Sequence, residues 1–402
     1  MAENTHEAWI TGIGIVSSLG EGLDAHWQAL NAGKPQPDVT THAPYILHQL
    51  APIDLDKQIP KKGDQRQMEG WQRTGTYAAG LALESAGIKG NTELLARTDM
   101  IVAAGGGERD VAVDGAIMTG LAKSEKPDVF LNERLMSDLR PTLFLAQLSN
   151  LLAGNISIVH GVTGSSRTFM GEEAAGIDAV RIALSRIEAG QSDIALVGGS
   201  YNADRLDLLM LYEFGGYNLK GEFKPIWERG AKGGLAPGSM GAFLVIESRS
   251  HAEARGAKRL ARLSATLSDR ASRQQPGQTE LALARMWEKL AGRLTAGQHA
   301  VISGATGAEP ATSEERSFFA KHPELAVRAT GSQIGHSFES QFLMNVALAA
   351  LAVSRGSLFP PCDSSGVERP MQGPLTQAVV TGVGHWRGEG LALVEAANWG
   401  RT

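Results

Sequence analysis

Residues Ala153–Ser200 read AGNISIVHGVTGSSRTFMGEEAAGIDAVRIALSRIEAGQSDIALVGGS. The stretch from Ala174 to Ala189 is small and apolar on several faces and stops at Gly190. That pattern predicts a helix buried on more than one side and closed by a glycine, which reaches the left-handed conformation a helix end needs. DIALVGG follows directly, a short unbroken apolar run of the kind a strand shows when both its faces are covered. A helix feeding straight into a doubly covered strand is the unit of an α/β protein.

The alternation continues in both directions. Upstream, AWITGIGIV (8–16) predicts a buried strand, Leu23 to Asn31 a helix, and Gln65 to Ser85 a long helix stopped by Gly87. Asp99 to Ala104 predicts a strand running into Gly105, Gly106 and Gly107, and Leu143 to Ala153 another helix. Downstream, AFLVIES and RLARLSATLS predict strands and Leu281 to Leu294 a helix. AVISGATG predicts a strand, Phe342 to Val353 a helix, and AVVTGVG with LALVEAA a closing pair of strands. Strand–helix alternation in both halves implies sheets covered on both faces. With 402 residues the chain exceeds one typical domain. No linker or low-complexity tract divides it, so two halves, 1–250 and 251–402, are expected to pack as one unit around a soft boundary near Ser248 to Arg255.

A formal net charge of −5 gives no electrostatic reason to expect nucleic acid or an anionic membrane as partner. The N-terminus lacks the basic-then-apolar pattern of a signal peptide, and no run of about 20 apolar residues predicts a membrane span. Cys362 is the one cysteine, so no disulfide forms within the chain, and a cytoplasmic location is expected. Gly12 and Gly14 lack the third glycine of a dinucleotide fingerprint, and the ten histidines form no ligand-spaced cluster, so neither cofactor nor metal is expected. Gly105 to Gly107 could cradle an anion, though such glycines more often allow close backbone packing. Lys61, Lys62 and Arg66 read as a solvated helix start.

Several segments, in order, resemble the β-ketoacyl-[acyl-carrier-protein] synthases, especially the elongating type. WITGIGIVSSLGEGLDAHWQALNAG resembles that family's first strand and helix, and DQRQMEGWQRTGTYAAGLALESAGI its long early helix. AGNISIVHGVTGSS is similar to the family's AGxLTIxYGLRGPS, AGQSDIALVGGS to its GDADxMxAGG, and ATGSQIGH to its STKSMTGH. GAFLVIESRSHAEARGAKRLARL, LFPP and the late TGVG also fit, so the resemblance covers nearly the whole chain. It implies a thiolase-type α/β fold, two βαβαβαββ halves in five layers, α-β-α-β-α.

In that family a cysteine thiolate sits at the N-terminus of a buried helix, where the dipole stabilises it. Two histidines and a lysine then assist decarboxylation and hold the thioester oxygen. Counted back from Gly190 and forward from Gly164, the cysteine's place falls on Glu173. VNAHGTST corresponds to VISGATGA, which puts Gly304 at the first histidine, or Ser303 if the register slips by one. The lysine of KSMTGH falls on Gly331 and the second histidine on His336. A family glutamate falls on Asn345 and the phenylalanine of the GFGG gate on Val383. Cys362 lies far along the chain from the nucleophile's place.

Glu173 has two readings: a carboxylate standing in for the thiolate, or a favourable acid on a helix N-terminus. Chain-length factors, related proteins with glutamine at this place, perform no condensation and pair with an active sister chain. His336 reads as a remnant oxyanion donor or as a buried histidine bonded to backbone, and the second is favoured. The resemblance implies an acyl carrier protein as partner, and a dimer with an active synthase paralogue or with itself. The leading expectation is a non-condensing, chain-length-factor-like subunit of fatty-acid or polyketide synthesis. An acyltransferase or malonyl-carrier decarboxylase using Glu173 and His336, and a homodimeric acyl-chain or carrier-protein binder, stay open beside it.

Overall fold

The computed structural model describes residues 6–138 and 147–397. Strand β1 (Ala8–Ser17) is buried at every position and carries the short β2 (Gly20–Glu21) as an antiparallel flap. The remaining strands are β3 (Asp99–Ala103), β4 (Ser166–Phe169), β5 (Ile194–Tyr201), β6 (Met240–Ser248), β7 (Ala261–Asp269), β8 (His299–Ser303), β9 (Ala326–Ala329), β10 (Gln377–Val383) and β11 (Glu389–Ala396).

These strands make two half-sheets with one plan. The first runs β4-β3-β5-β6-β1 and the second β9-β8-β10-β11-β7. In each, the first three strands are parallel and the last two join antiparallel. The halves meet where β1 pairs with β7, Ala8 opposite Leu263 and Ile10 opposite Ala261. Two helices lie between them, Glu173–Glu188 and Gln341–Arg355, each packed on strands of both halves. Helix Gly70–Ser85 covers the outer face of the first half, and Gln278–Ala291 with Ala311–Ala320 the outer face of the second. The result is five layers, α-β-α-β-α.

The core explains why both central helices are apolar over most of their surface. Ala175, Ile177, Val180 and Leu184 from one, and Phe342, Leu343, Val346 and Leu348 from the other, join Ile10, Val197, Leu244, Val380 and Val394 in a single cluster. Fully burying one such branched side chain contributes ~1.5–3 kcal/mol, so this layer is the main store of stability. The Gly12 and Gly14 pair serves packing: a Cβ at Gly14 would lie 2.1 Å from the Ala78 carbonyl oxygen, and one at Gly12 2.5 Å from that of Ala82. Any side chain there would push helix Gly70–Ser85 off the sheet.

Two helix expectations need correction. The pattern from Gln65 to Ser85 is two helices, Lys62–Gln67 and Gly70–Ser85, with Met68 and Glu69 extended between them. Glu69 and Gln72 form a reciprocal capping box, which satisfies amides at the restart. The helix expected over Leu143–Ala153 falls partly outside the described residues; the observed helix is Leu151–His160, ended by Gly161 at φ 77°. Strands β4 and β9, four residues each, were too short for periodicity to reveal.

Candidate functional site

The central helix Glu173–Glu188 begins at a strained corner. Glu172, its N-cap, has φ 56° and ψ −136°, a region costly for a residue with a side chain. The preceding Gly171 has φ 131°. This corner turns Glu173 inward to 3% exposure and leaves Glu172 partly exposed beside a cavity.

Glu173 Oε1 accepts three hydrogen bonds. His336 Nε2 lies at 2.7 Å, His385 Nδ1 at 2.9 Å and the His385 backbone amide at 3.3 Å. Oε2 is buried without a partner among the described residues. His336 arrives on the loop after the short helix Gly331–Ile334, fixed by its amide on Ala236 O and its carbonyl on Gly238 N. His385 arrives on the β10–β11 turn, which Gly384 N closes onto Gly388 O. Phe338 packs against both imidazoles, its ring centre 4.7 Å from that of His336 and 5.5 Å from that of His385.

The electrostatics make this a lock. Burial works against a charge on Glu173, but the His385 imidazolium and the two imidazole hydrogen bonds outweigh it and hold the carboxyl well below the usual range. Burial likewise opposes charge on His385, and the Glu173 carboxylate overcomes it and raises the imidazole. Burial lowers His336 despite the same carboxylate. These directions favour a charged pair of Glu173 and His385 with His336 donating as the neutral imidazole through Nε2. The helix N-terminus adds favourable potential for the anion.

Of the sequence-derived positions, the structure brings together Glu173 and His336. His336 bonds a side chain, and not only backbone as the favoured reading held. Gly304 donates its amide to Thr381 Oγ1, and a Cβ there would sit 2.4 Å from the Thr381 carbonyl oxygen. At Gly331 a Cβ would meet Ile226 Cδ1 at 2.7 Å. The backbone closes Gly304 to a side chain, whereas at Gly331 the tip of Ile226 would have to move. Ser303, the other register, donates to Glu315 Oε1. Asn345 belongs to the same buried polar knot, accepting from Thr330 Oγ1 and donating to the Ser303 carbonyl. Val383 packs into the outer apolar core with Ile226 and Trp227. Cys362 is no hidden nucleophile: burial and the neighbouring Glu368 and Asp363 push its thiol up to about 12.

His385 escaped the sequence reading. Its signal was a titratable residue two places beyond Val383, inside a glycine-rich turn where the family pattern shows glycine. Glu172, Glu173 and His385 also form a group whose ligand atoms lie within 4.8 Å of one another, a spacing compatible with a cation. These residues are over 200 positions apart in places, so no local motif announces them.

This geometry can be set beside known proteins. Residues 6–252 match the β-ketoacyl synthase N-terminal domain. The chain belongs to the β-ketoacyl synthase family. It is 26% identical over 263 residues to 3-oxoacyl-[acyl-carrier-protein] synthase 2 of Vibrio cholerae, an alignment covering 62% of this chain and 59% of that protein. The tetracenomycin polyketide synthase ketoacyl synthase beta subunit of Streptomyces glaucescens is 25% identical over 378 residues, 90% of this chain and 88% of that one. In fold the chain is similar to the ishigamide ketosynthase/chain length factor, with TM-score 0.78, 17% identity, and coverage of 97% and 99%. The thiolase-type architecture of these synthases is the one described above. No helix among the described residues is long and apolar enough to cross a membrane.

Proposed function

We propose that this chain is a non-condensing member of the β-ketoacyl synthase family that pairs with an active synthase in carrier-bound acyl or polyketide assembly. The observation that carries this reading is the state of the nucleophile's place. A buried carboxylate stands there, tied to His336 and His385, with no thiol in reach. A carboxylate is a poor acyl acceptor beside a thiolate, and here its one partnered oxygen is already saturated. The same engagement argues against a decarboxylase using Glu173 and His336, because the pair is bonded to itself.

Pairing is supported by surface chemistry. Met118, Val129, Met136, Met210 and Phe214 are exposed, Phe214 to 84%. Isolated exposed apolar residues are ordinary, but this many on the helices Val111–Leu121, Pro127–Ser137 and Leu206–Phe214 suits a covered face. Among the described residues strand β4 also leaves one sheet edge unpaired, with Met170 exposed beside it. The relatives named for acyl-carrier-protein synthases and for a ketosynthase beta subunit support the carrier-linked pathway class.

The test is co-expression with an intact Cys-His-His synthase of the family, followed by size-exclusion chromatography and mass analysis of carrier-bound products. The reading requires a stoichiometric complex whose product lengths depend on this chain. A homodimer that ignores the synthase and leaves its products unchanged would overturn it and favour the carrier-binding alternative.

A further inference from the structure

Beside the locked carboxylate lies a cavity of about 450 Å³ bounded by the Gly105–Gly107 loop, the end of β5 and helix Leu206–Phe214. Its wall mixes carboxylates and polar side chains with Leu208, Leu211 and aromatic rings. Glu172 and Glu339 face it, with Asp207, Asn202 and Ser200, and Tyr201, Tyr212 and Trp71 supply aromatic surface. Lining carboxylates would lose hydration against a hydrocarbon chain without gaining a partner, which disfavours such an occupant.

The cations nearby are already engaged. Arg109 is held by both oxygens of Asp114. Arg205 is held by Asp207 and donates to the carbonyls of Gly106 and Gly107. The glycine loop thus turns carbonyls toward a cation, contrary to the anion cradle its sequence allowed. His385 lies 3.8 Å from Glu172 but is bonded to Glu173. Glu339 is 7% exposed, lines the cavity, and has its own amide as its hydrogen-bond donor, with no side-chain partner among the described residues. A buried carboxyl aimed into a cavity with only its own amide as donor is an incompletely filled acceptor site.

We propose that this cavity binds a small organic cation, a primary ammonium, between the Glu172 and Glu339 carboxylates and the aromatic wall. Burial pushes Glu339 up to about 7, and an ammonium supplies donors beyond its own amide that favour its charged form; Tyr and Trp faces attract cations. A bare divalent ion fits less well. The cavity far exceeds its size, and the Glu173 and His385 atoms it would need are already spent on each other. This goes beyond the pairing reading and does not depend on it.

The test uses a matched pair of probes, n-hexylammonium and hexanoate, titrated calorimetrically into the purified full-length chain. Hexylammonium should bind in the millimolar range, at least roughly tenfold more tightly than hexanoate, the factor that loss of one charge-assisted hydrogen bond produces. Glu339→Gln and, independently, Glu172→Gln should each weaken it roughly fivefold to tenfold. Glu172 is partly exposed, so its variant keeps the test valid if the buried one folds poorly. Equal or tighter binding of hexanoate, no binding of hexylammonium, binding indifferent to both substitutions, or binding of Mn²⁺ or Zn²⁺ that depends on Glu172 while hexylammonium does not bind, would each overturn the proposal. None of these outcomes bears on co-purification with a synthase, so the two readings fail separately.

Discussion

Replacing Glu173 with alanine should destabilise the fold far more than replacing it with glutamine. The carboxylate takes three hydrogen bonds on one oxygen, two of them from imidazoles at 2.7 and 2.9 Å, in a place that is 3% exposed. Removing one partner of a buried ion pair strands the other's charge, which costs ~3–5 kcal/mol. Glutamine keeps the volume and one acceptor but puts an amide NH₂ where Oε2 has no partner, a penalty of ~1–3 kcal/mol. Urea unfolding should therefore rank wild type above Glu173→Gln above Glu173→Ala, with equal slopes. A double-mutant cycle with His385→Phe should show a coupling of at least ~1 kcal/mol, because removing the imidazolium relieves the stranded charge. The His385 titration, followed by NMR, should fall from its raised position in Glu173→Gln. The reasoning is refuted if Glu173→Ala lies within ~1 kcal/mol of wild type, or if His385 titrates unchanged without the carboxylate.

Other consequences follow from the same contacts. Incubated with acyl-carrier protein, the chain should gain no acyl adduct by intact mass; an adduct mapping to residues 170–176 would contradict the loss of chemistry at Glu173. Glu173→Cys alone should give no 3-oxoacyl product, since the histidine and lysine places are Gly304 and Gly331, and members of such a constellation act as a unit, each worth on the order of 10²–10³; measurable product would show that those positions are misassigned. Ala112→Phe and Ala116→Phe, both exposed on helix Val111–Leu121, should shift a co-expressed synthase toward shorter products, and a bound partner with unchanged lengths would remove the length-setting role. Burial pushes Glu315 up to about 7, so the protein loses its contribution as pH rises from about 4.5 to 7, by ~3 kcal/mol at 1.36 kcal/mol per unit. Glu315→Gln, neutral throughout, should gain that amount relative to wild type between pH 5 and pH 8, and a difference independent of pH would sink the assignment.

The architecture was legible because its central elements obey one rule. Residues covered on every side are mostly apolar, so residues 194–199 and, apart from Asn345, residues 342–353 read as apolar runs in sequence and as buried layers in the fold. The register of motifs pointed to Glu173 and His336, which the structure brings into hydrogen-bond contact. What stayed hidden depends on approach in space. His385 is more than 200 residues from Glu173, and its turn carries no ligand spacing. Helix Leu206–Phe214 presents apolar residues all round, so periodicity gave it no face and no place until the cavity beside it was visible. The break at Met68 and Glu69 was masked because helical propensity does not report a two-residue extended step.

The proposed loss of condensing chemistry would rest on backbone packing as well as side-chain identity. A thiolate site needs an anion-stabilising helix end, and that device is intact here, occupied by a carboxylate that its neighbours keep charged. The supporting places are closed differently. A side chain at Gly304 would collide with the Thr381 carbonyl oxygen, which belongs to β10, so the strand itself would have to move. At Gly331 the obstacle is Ile226, part of the outer apolar core with Trp227 and Val383. If these are the family's catalytic places, a histidine at Gly304 would displace a buried strand, at ~1–3 kcal/mol for a forced contact, while a lysine at Gly331 would first displace the tip of Ile226. The triple variant Glu173→Cys, Gly304→His, Gly331→Lys should consequently unfold at lower urea than Glu173→Cys alone, and a triple variant as stable as the single one would show that these glycines are permissive.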